Sequence, residues 1–207
     1  MTPDTIAKLL QPYINQPSER VEVAPDWPQI HAQLAIYLEL ILKWNTRTNL
    51  TSIRTPEEIV RRHFGESLFV GTHLGPCATL LDFGSGAGFP GIPTQLLRPD
   101  VQVTLADSQG KKAAFLREVV RSLGLPTEVW AGRVEFMPPE RQFDTVTLRA
   151  VDNMDAAVQS ALLRARNRVM ILGTSRAFPS LSEDFSIAEP IPLPGSNEGI
   201  LQIASRR

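Results

Sequence analysis

Apolar and polar positions alternate along this chain in two different rhythms. Over the first 75 residues apolar side chains return every three or four positions, the period of a helix: Ile30, Leu34, Tyr37, Leu38 and Ile41, then Leu68, Phe69 and Leu74. Asp26 followed by Gln29 resembles a capping box. Thr55-Pro56-Glu57-Glu58 reads as a helix start, with Thr as N-cap and Pro at the first position. The pattern predicts helices and no strands in this region, a small cap over residues 1–75. From residue 79 the rhythm changes. Short apolar runs predict strands at 79–83, 102–106, 127–131, 144–148 and 167–172, with helices at 90–98, 110–123 and 153–165 between them. Such alternation is the signature of a parallel, doubly wound α/β sheet. GILQIA (199–204) predicts a last strand whose hairpin-like pairing makes the sheet mixed, and Pro190, Pro192 and Pro194 mark the loop before it.

The densest local signal is LLDFGSGAGFPG, residues 80–91. A strand ending in Asp82 runs into Gly84, Gly86, Gly88 and Gly91, a run that lets the backbone turn sharply and approach a ligand. The next strand, VQVTLAD, ends in Asp107. One carboxylate at the second strand's tip, opposite a Gly-rich first loop, is the usual grip on a ribose diol. The spacing Gly84-x-Gly86-x-Gly88 is not that of the nicotinamide fingerprint, whose third Gly follows the second by three. It resembles the first motif of the S-adenosylmethionine-dependent methyltransferases, whose cofactor has no pyrophosphate to seat.

Composition changes this picture little. The chain has 207 residues, 43% of them hydrophobic and 21% charged, which suits one sizeable core. No apolar run approaches the roughly 20 residues needed to span a bilayer, and MTPDTIAKLL lacks the basic-then-apolar order of a secretion signal. A single cysteine, Cys77, excludes an internal disulfide framework and a Cys-based metal site. A cytoplasmic protein with no membrane and no metal is expected. The net charge of −1 does not announce a nucleic-acid binder. Basic residues nevertheless crowd two places, Arg47, Arg54, Arg61, Arg62 and His63 before the Gly loop, and Lys111, Lys112, Arg117 and Arg121 after Asp107.

Five segments together resemble one family, the bacterial small-subunit (16S) ribosomal RNA guanine-N7 methyltransferases, also called glucose-inhibited division protein B. They are TNLTSIR (48–54), RRHFGESL (61–68), LLDFGSGAGFPGIP (80–93), LADSQGKKAAFL (105–116) and RVEF (133–136), with FDTVTLRA (143–150) as a looser sixth. The chain departs from the family's usual pattern at Gly65-Glu66-Ser67, at Leu148-Arg149-Ala150 and at Leu172-Gly173-Thr174. The resemblance implies a Rossmann-like class I methyltransferase sheet with helices on both faces, residues 76–207, under the N-terminal cap. It implies S-adenosyl-L-methionine as cofactor and 16S ribosomal RNA, or the small ribosomal subunit, as partner, the target being a guanine near the decoding region. Carried over by position, Gly84 and Phe89 would line the cofactor's methionine and adenosine end. Asp107, Ser108 and Gln109 would hold the ribose and adenine, Val134 and Glu135 would border the adenine, and Arg149 would complete the pocket.

Guanine N7 carries an unshared lone pair and loses no proton before attack, so no general base is needed and none is assigned. Placement of the base against the methyl group is the main requirement. Arg61 and Arg62 are candidate phosphate ligands. His63 either orders the junction between cap and sheet or touches RNA, and Asn49 either caps a turn or contacts substrate. Asp82 is open between a loop acceptor and a group near the sulfonium. Trp44 is expected to pack in the cap, and Trp130 and Phe136 in the core. The alternative is a small-molecule methyltransferase built on the same cofactor half.

Overall fold

The computed structural model describes residues 1–14, 24–174 and 183–207. Two helices open it, α1 (Pro3–Ile14) and α2 (Trp27–Asn45). The Asp26 carboxylate accepts from the Gln29 N–H at 3.1 Å, which satisfies one of the orphan donors at the start of α2. The third helical run has three parts: α3 (Pro56–Glu58), a π-helical stretch (Ile59–Gly65) and α4 (Glu66–Thr72). Thr55 precedes it as predicted, but its hydroxyl donates to the Glu58 carboxylate rather than capping the backbone. The π-helical stretch has no signature in the apolar period. It carries Arg61, Arg62 and His63, and such wide turns recur at functional sites.

The sheet follows: β1 (Thr79–Phe83), β2 (Gln102–Asp107), β3 (Glu128–Ala131), β4 (Phe143–Arg149), β5 (Ala165–Thr174), β6 (Phe185–Ile187), β7 (Ile191–Pro192) and β8 (Gly199–Arg206). Helices α5 (Gly91–Leu97), α6 (Gly110–Leu123) and α7 (Met154–Arg164) connect the parallel strands. The order is β3-β2-β1-β4-β5-β8-β6, with β7 paired to β8. Strands β1 to β5 are parallel, and β8 runs antiparallel to β5 and β6. The five parallel strands and the last antiparallel strand are those predicted, and β6 is an addition to them. The Pro-rich stretch differs, because Ile191 and Pro192 pair with Leu201 and Ile200 as a short edge strand. Proline is tolerated at an edge, where no ladder donor is missed.

The chain order reverses between β1 and β4, and open α/β sheets bind ligands outside the strand C-termini at such a point. The two faces are unequally covered. Leu80, Val103 and Leu105 point to the face that carries α5, α6 and the helical cap. Leu81, Phe83 and Val146 point to the other, which carries α7. Between β3 and β4 only a 3-10 turn, Val134–Phe136, stands where a crossover helix is usual. Residue 75 marks a change of secondary structure but not a division of the core. One apolar cluster runs from Ile6, Leu34 and Tyr37 of the cap through Phe89 to Ile92 and Phe115.

Candidate functional site

The Gly-rich loop leaves β1 with Gly84, Gly86 and Gly88 all at positive φ (69°, 58° and 93°). At Gly88 a side chain is excluded twice over, since a Cβ there would lie 2.6 Å from the Tyr37 hydroxyl oxygen of the cap. Tyr37 in turn donates to the Ala87 carbonyl, so the cap grips the loop from behind. On the sheet side Asp82 holds it. Its Oδ2 accepts from the Gly91 N–H at 3.0 Å and its Oδ1 from the Thr147 hydroxyl at 3.0 Å. Gly91 must lack a Cβ because that atom would sit 2.8 Å from Asp82 Oδ2 and 2.3 Å from Leu105. Burial pushes the Asp82 carboxyl up to about 6, against the hydrogen bonds from Gly91, Thr147 and Ser85, which lower it. Of the two roles open for Asp82, its contacts are those of the loop acceptor.

Beyond the loop lies a hollow of about 340 Å³ that brings together Gly84, Asp107, Ser108, Gln109, Val134 and Glu135. Six of the predicted cofactor residues meet there. Asp107 is buried, its Oδ2 accepting from the Gly86 N–H (2.9 Å) and its Oδ1 from the Gln109 N–H (2.8 Å). Each carboxylate oxygen has two lone pairs, so both still have a direction left for a diol. Val134 is buried in the wall, while Glu135 is exposed and accepts from the Ser160 hydroxyl. Sequence reasoning missed the opposite wall, the turn at 150–153, where Ala150 and Asn153 adopt positive φ. Non-glycine residues in that region cluster at functional sites; Asn153 is of a type that tolerates it, whereas Ala150 gives no sign of it in the sequence. Lys112 and Arg133 also line the hollow, and both lie inside motifs already singled out.

Phe89 and Arg149 are not among the residues lining this hollow. Phe89 is buried in the seam between cap and sheet, stacked on His63 with ring centroids 4.6 Å apart and tilted against Tyr37. Arg149 reaches from the end of β4 into the cap, donating to Glu66 Oε2 at 2.6 Å and to the Arg62 carbonyl at 2.8 Å. Glu66 is buried, and burial raises its carboxyl while Arg149 and Arg62 hold it down. His63 shares a 2.7 Å hydrogen bond with the Thr51 hydroxyl. Burial, then Arg149 and Arg62, lower its ring to about 3, so it is neutral at neutral pH. Of its two expected roles, His63 occupies the junction between cap and sheet.

Arg61 and Arg62 lie exposed on the π-helical stretch, Arg62 only 3.9 Å from Glu66. Asn49 is exposed and accepts from Arg54 at 3.1 Å. The turn it was expected to cap is held instead by Asn45, whose Oδ1 accepts from the Leu50 and Thr51 N–H groups. Trp44 packs as predicted, edge-on to Phe115 with its Nε1–H donating to Glu118. Trp130 is half-buried. Phe136 corrects the core expectation outright, standing 77% exposed on the 3-10 turn beside the hollow. Its period-based neighbours Val134 and Met137 take the buried positions. Among the described residues no group of three or more His, Cys, Asp or Glu is placed to hold a metal ion, and no helix is long and apolar enough to cross a membrane.

The model of the family described as rRNA small subunit methyltransferase G, GidB, matches residues 30–184. A ribosomal RNA small subunit methyltransferase G from Nitrosomonas eutropha is 37% identical over 83% of this chain and 84% of its own length. The chain belongs to this family. The protein of that name from Nitrosomonas europaea is 48% identical over 65% of this chain, and that match spans 63% of the relative, a little under two thirds. Among solved structures, the magnesium protoporphyrin IX methyltransferase from Synechocystis with bound SAM superposes with a TM-score of 0.60 at 14% identity, covering 83% of this chain and 97% of that one. A SAM-dependent methyltransferase from Aquifex aeolicus gives 0.54 at 15% identity over 72% and 93%. These two likenesses establish the fold, a class I methyltransferase sheet.

Proposed function

We propose that this protein is a cytoplasmic S-adenosylmethionine-dependent methyltransferase that methylates N7 of a guanine in 16S ribosomal RNA near the decoding region. Family membership carries the reaction class and weighs against the small-molecule alternative. The single structural observation that supports it is the Asp107 carboxylate, buried at the tip of β2 and accepting from the Gly86 N–H of the Gly-rich loop and from the Gln109 N–H that follows it. The residues fit the cofactor on two counts. The Gly84 backbone lines the hollow without a side chain, and Asp107 keeps lone pairs for a ribose diol.

When bound, S-adenosylmethionine supplies an electrophilic methyl group. Asp107, Ser108 and Gln109 would hold the ribose and adenine side, with Val134 and Glu135 at the adenine border. Gly84 would pass close to the sulfonium end, and Phe89 would act from behind the loop by keeping it pressed toward the hollow. Arg61 and Arg62, exposed on the cap, are offered to RNA phosphates, which position without reading sequence. His63, neutral and half-buried, orders the cap rather than moving a proton. Asn49 stays at the exposed cap surface with Arg54 as an RNA contact. The reaction asks for no base, because the attacking lone pair carries no proton. Borohydride and aniline cleavage maps N7-methylguanosine: ribosomal RNA from cells lacking the gene should lose one small-subunit cleavage site, and restoring the gene should return it. An unchanged cleavage pattern would refute the assignment.

A further inference from the structure

We propose that Glu66 is a positioning residue for the methyl donor: it fixes the Arg149 guanidinium so that Nη1 remains available to the carboxylate of the donor's amino-acid end. The inference rests on the function proposed above and deepens it. Arg149 spends Nη2 on two acceptors in the cap, Glu66 Oε2 and the Arg62 carbonyl. Its Nη1 is buried and has no acceptor among the described residues. Buried polar atoms are almost always paired, so an orphan on a charged group at a ligand-binding edge points to a ligand.

Its place in the fold says which part of the ligand. Leu148, the residue before Arg149, is in register with Phe83, the residue before Gly84. Arg149 therefore stands where the Gly loop begins, with the 150–153 wall of the hollow immediately after it. Asp107 sits across from it on β2, the neighbour of β1 on the opposite side. A nucleoside with its ribose at Asp107 and an amino-acid tail running past Gly84 brings an anionic oxygen toward β4. A guanidinium N–H is the matching donor. Glu66 does not line the hollow; its charged contacts are Arg149 and, more distantly, Arg62. Without it the guanidinium would feel Asp82 as the remaining carboxylate attraction. Glu66 thus acts on the ligand only through Arg149.

The test is titration calorimetry with two ligands, S-adenosylmethionine and its decarboxylated analogue, against the parent and the variants Glu66→Gln, Glu66→Asp, Arg149→Gln and the double Gln variant. The parent should favour the carboxylate-bearing donor by about tenfold. Glu66→Gln and Arg149→Gln should each cut that preference to about twofold or less, and the double variant no further, while Glu66→Asp keeps part of it. Affinity for the decarboxylated analogue should stay level throughout. If Glu66→Gln retained the parent's preference, or weakened both ligands alike, Glu66 would be a structural tie and the proposal would fall. Should Arg149→Gln not fold, the Glu66 pair decides alone. A parent that binds neither ligand would instead sink the proposed function, so the two failures are distinct.

Discussion

The two ends of the Gly-rich loop are held by different means. At the β2 end Asp107 is fixed by backbone N–H groups alone, that of Gln109 two positions on and that of Gly86 in the Gly-rich loop, 21 positions before. At the β4 end everything is long-range: Arg149 meets Glu66 across 83 positions, and Tyr37 reaches the Ala87 carbonyl across 50. A strand tip that needs only backbone donors can be built from a short spacing. A strand tip that needs side chains from a cap depends on how two helical segments pack, which no local pattern specifies. The cap in this protein is therefore part of the pocket's construction, and its core is continuous with that of the sheet.

The substitution expected to disturb both ends at once is Gly91→Ala. Its Cβ would press on Asp82 and Leu105 and displace the strut beneath the loop. Overpacking of this kind should cost about 3 kcal/mol in urea unfolding. A loss under about 1 kcal/mol would mean the loop yields easily.

His63→Gln probes the cap end alone, through pH. The folded ring sits at about 3 against an ordinary 6.5, so the unfolded chain binds the proton first. Stability is lost as pH falls from 6.5 toward 3, by about 1.4 kcal/mol per unit at most. Asp82 works in the opposite direction. Raised from 3.8 to about 6, it is protonated first in the folded protein and weakens stability as pH rises through that window. Comparing the parent with His63→Gln between pH 6.5 and 5 cancels the Asp82 contribution. The parent's stability should fall more steeply than the variant's, and parallel slopes would show that the ring is not held neutral.

Arg61→Ala touches neither end, and Arg62→Ala removes only an exposed side chain 3.9 Å from Glu66 while leaving the carbonyl that Arg149 uses. Each should lower the salt dependence of RNA binding by a slope of about 1 and leave cofactor affinity as it was. Loss of both affinities together would indicate a damaged cap. The smallest effect belongs to Tyr37→Phe, which removes the one hydrogen bond to Ala87 and should cost about 1 kcal/mol.

What could be read in the sequence follows the same division. Short apolar runs located every parallel strand, with the helices between them, because each strand of a doubly wound sheet must bury apolar residues on both faces. Six of eight expected cofactor residues share one hollow, since Gly84, Asp107–Gln109 and Val134–Glu135 all sit just past strand ends. Arg149 closes β4 and Phe89 closes the Gly-rich loop after β1, yet their side chains turn to cap partners that spacing does not reveal. Phe136 misled because aromatic residues are usually buried, whereas a 3-10 turn of three residues can bury only one or two of its side chains. The wall at 150–153 was invisible for a different reason: positive φ at Ala150 is imposed by the fold, not by residue type, and Asn153, a type that tolerates that region, is too common a turn residue to mark it.

The β2 end carries the central claim, that Asp107 and the Gly loop together hold the nucleoside of the methyl donor. Calorimetric titration of Asp107→Ala with S-adenosylmethionine tests it most directly. Losing a charge-assisted pair of hydrogen bonds should weaken binding by about tenfold to a hundredfold. An affinity equal to the parent's, in a variant that melts at the same temperature, would place the donor somewhere else.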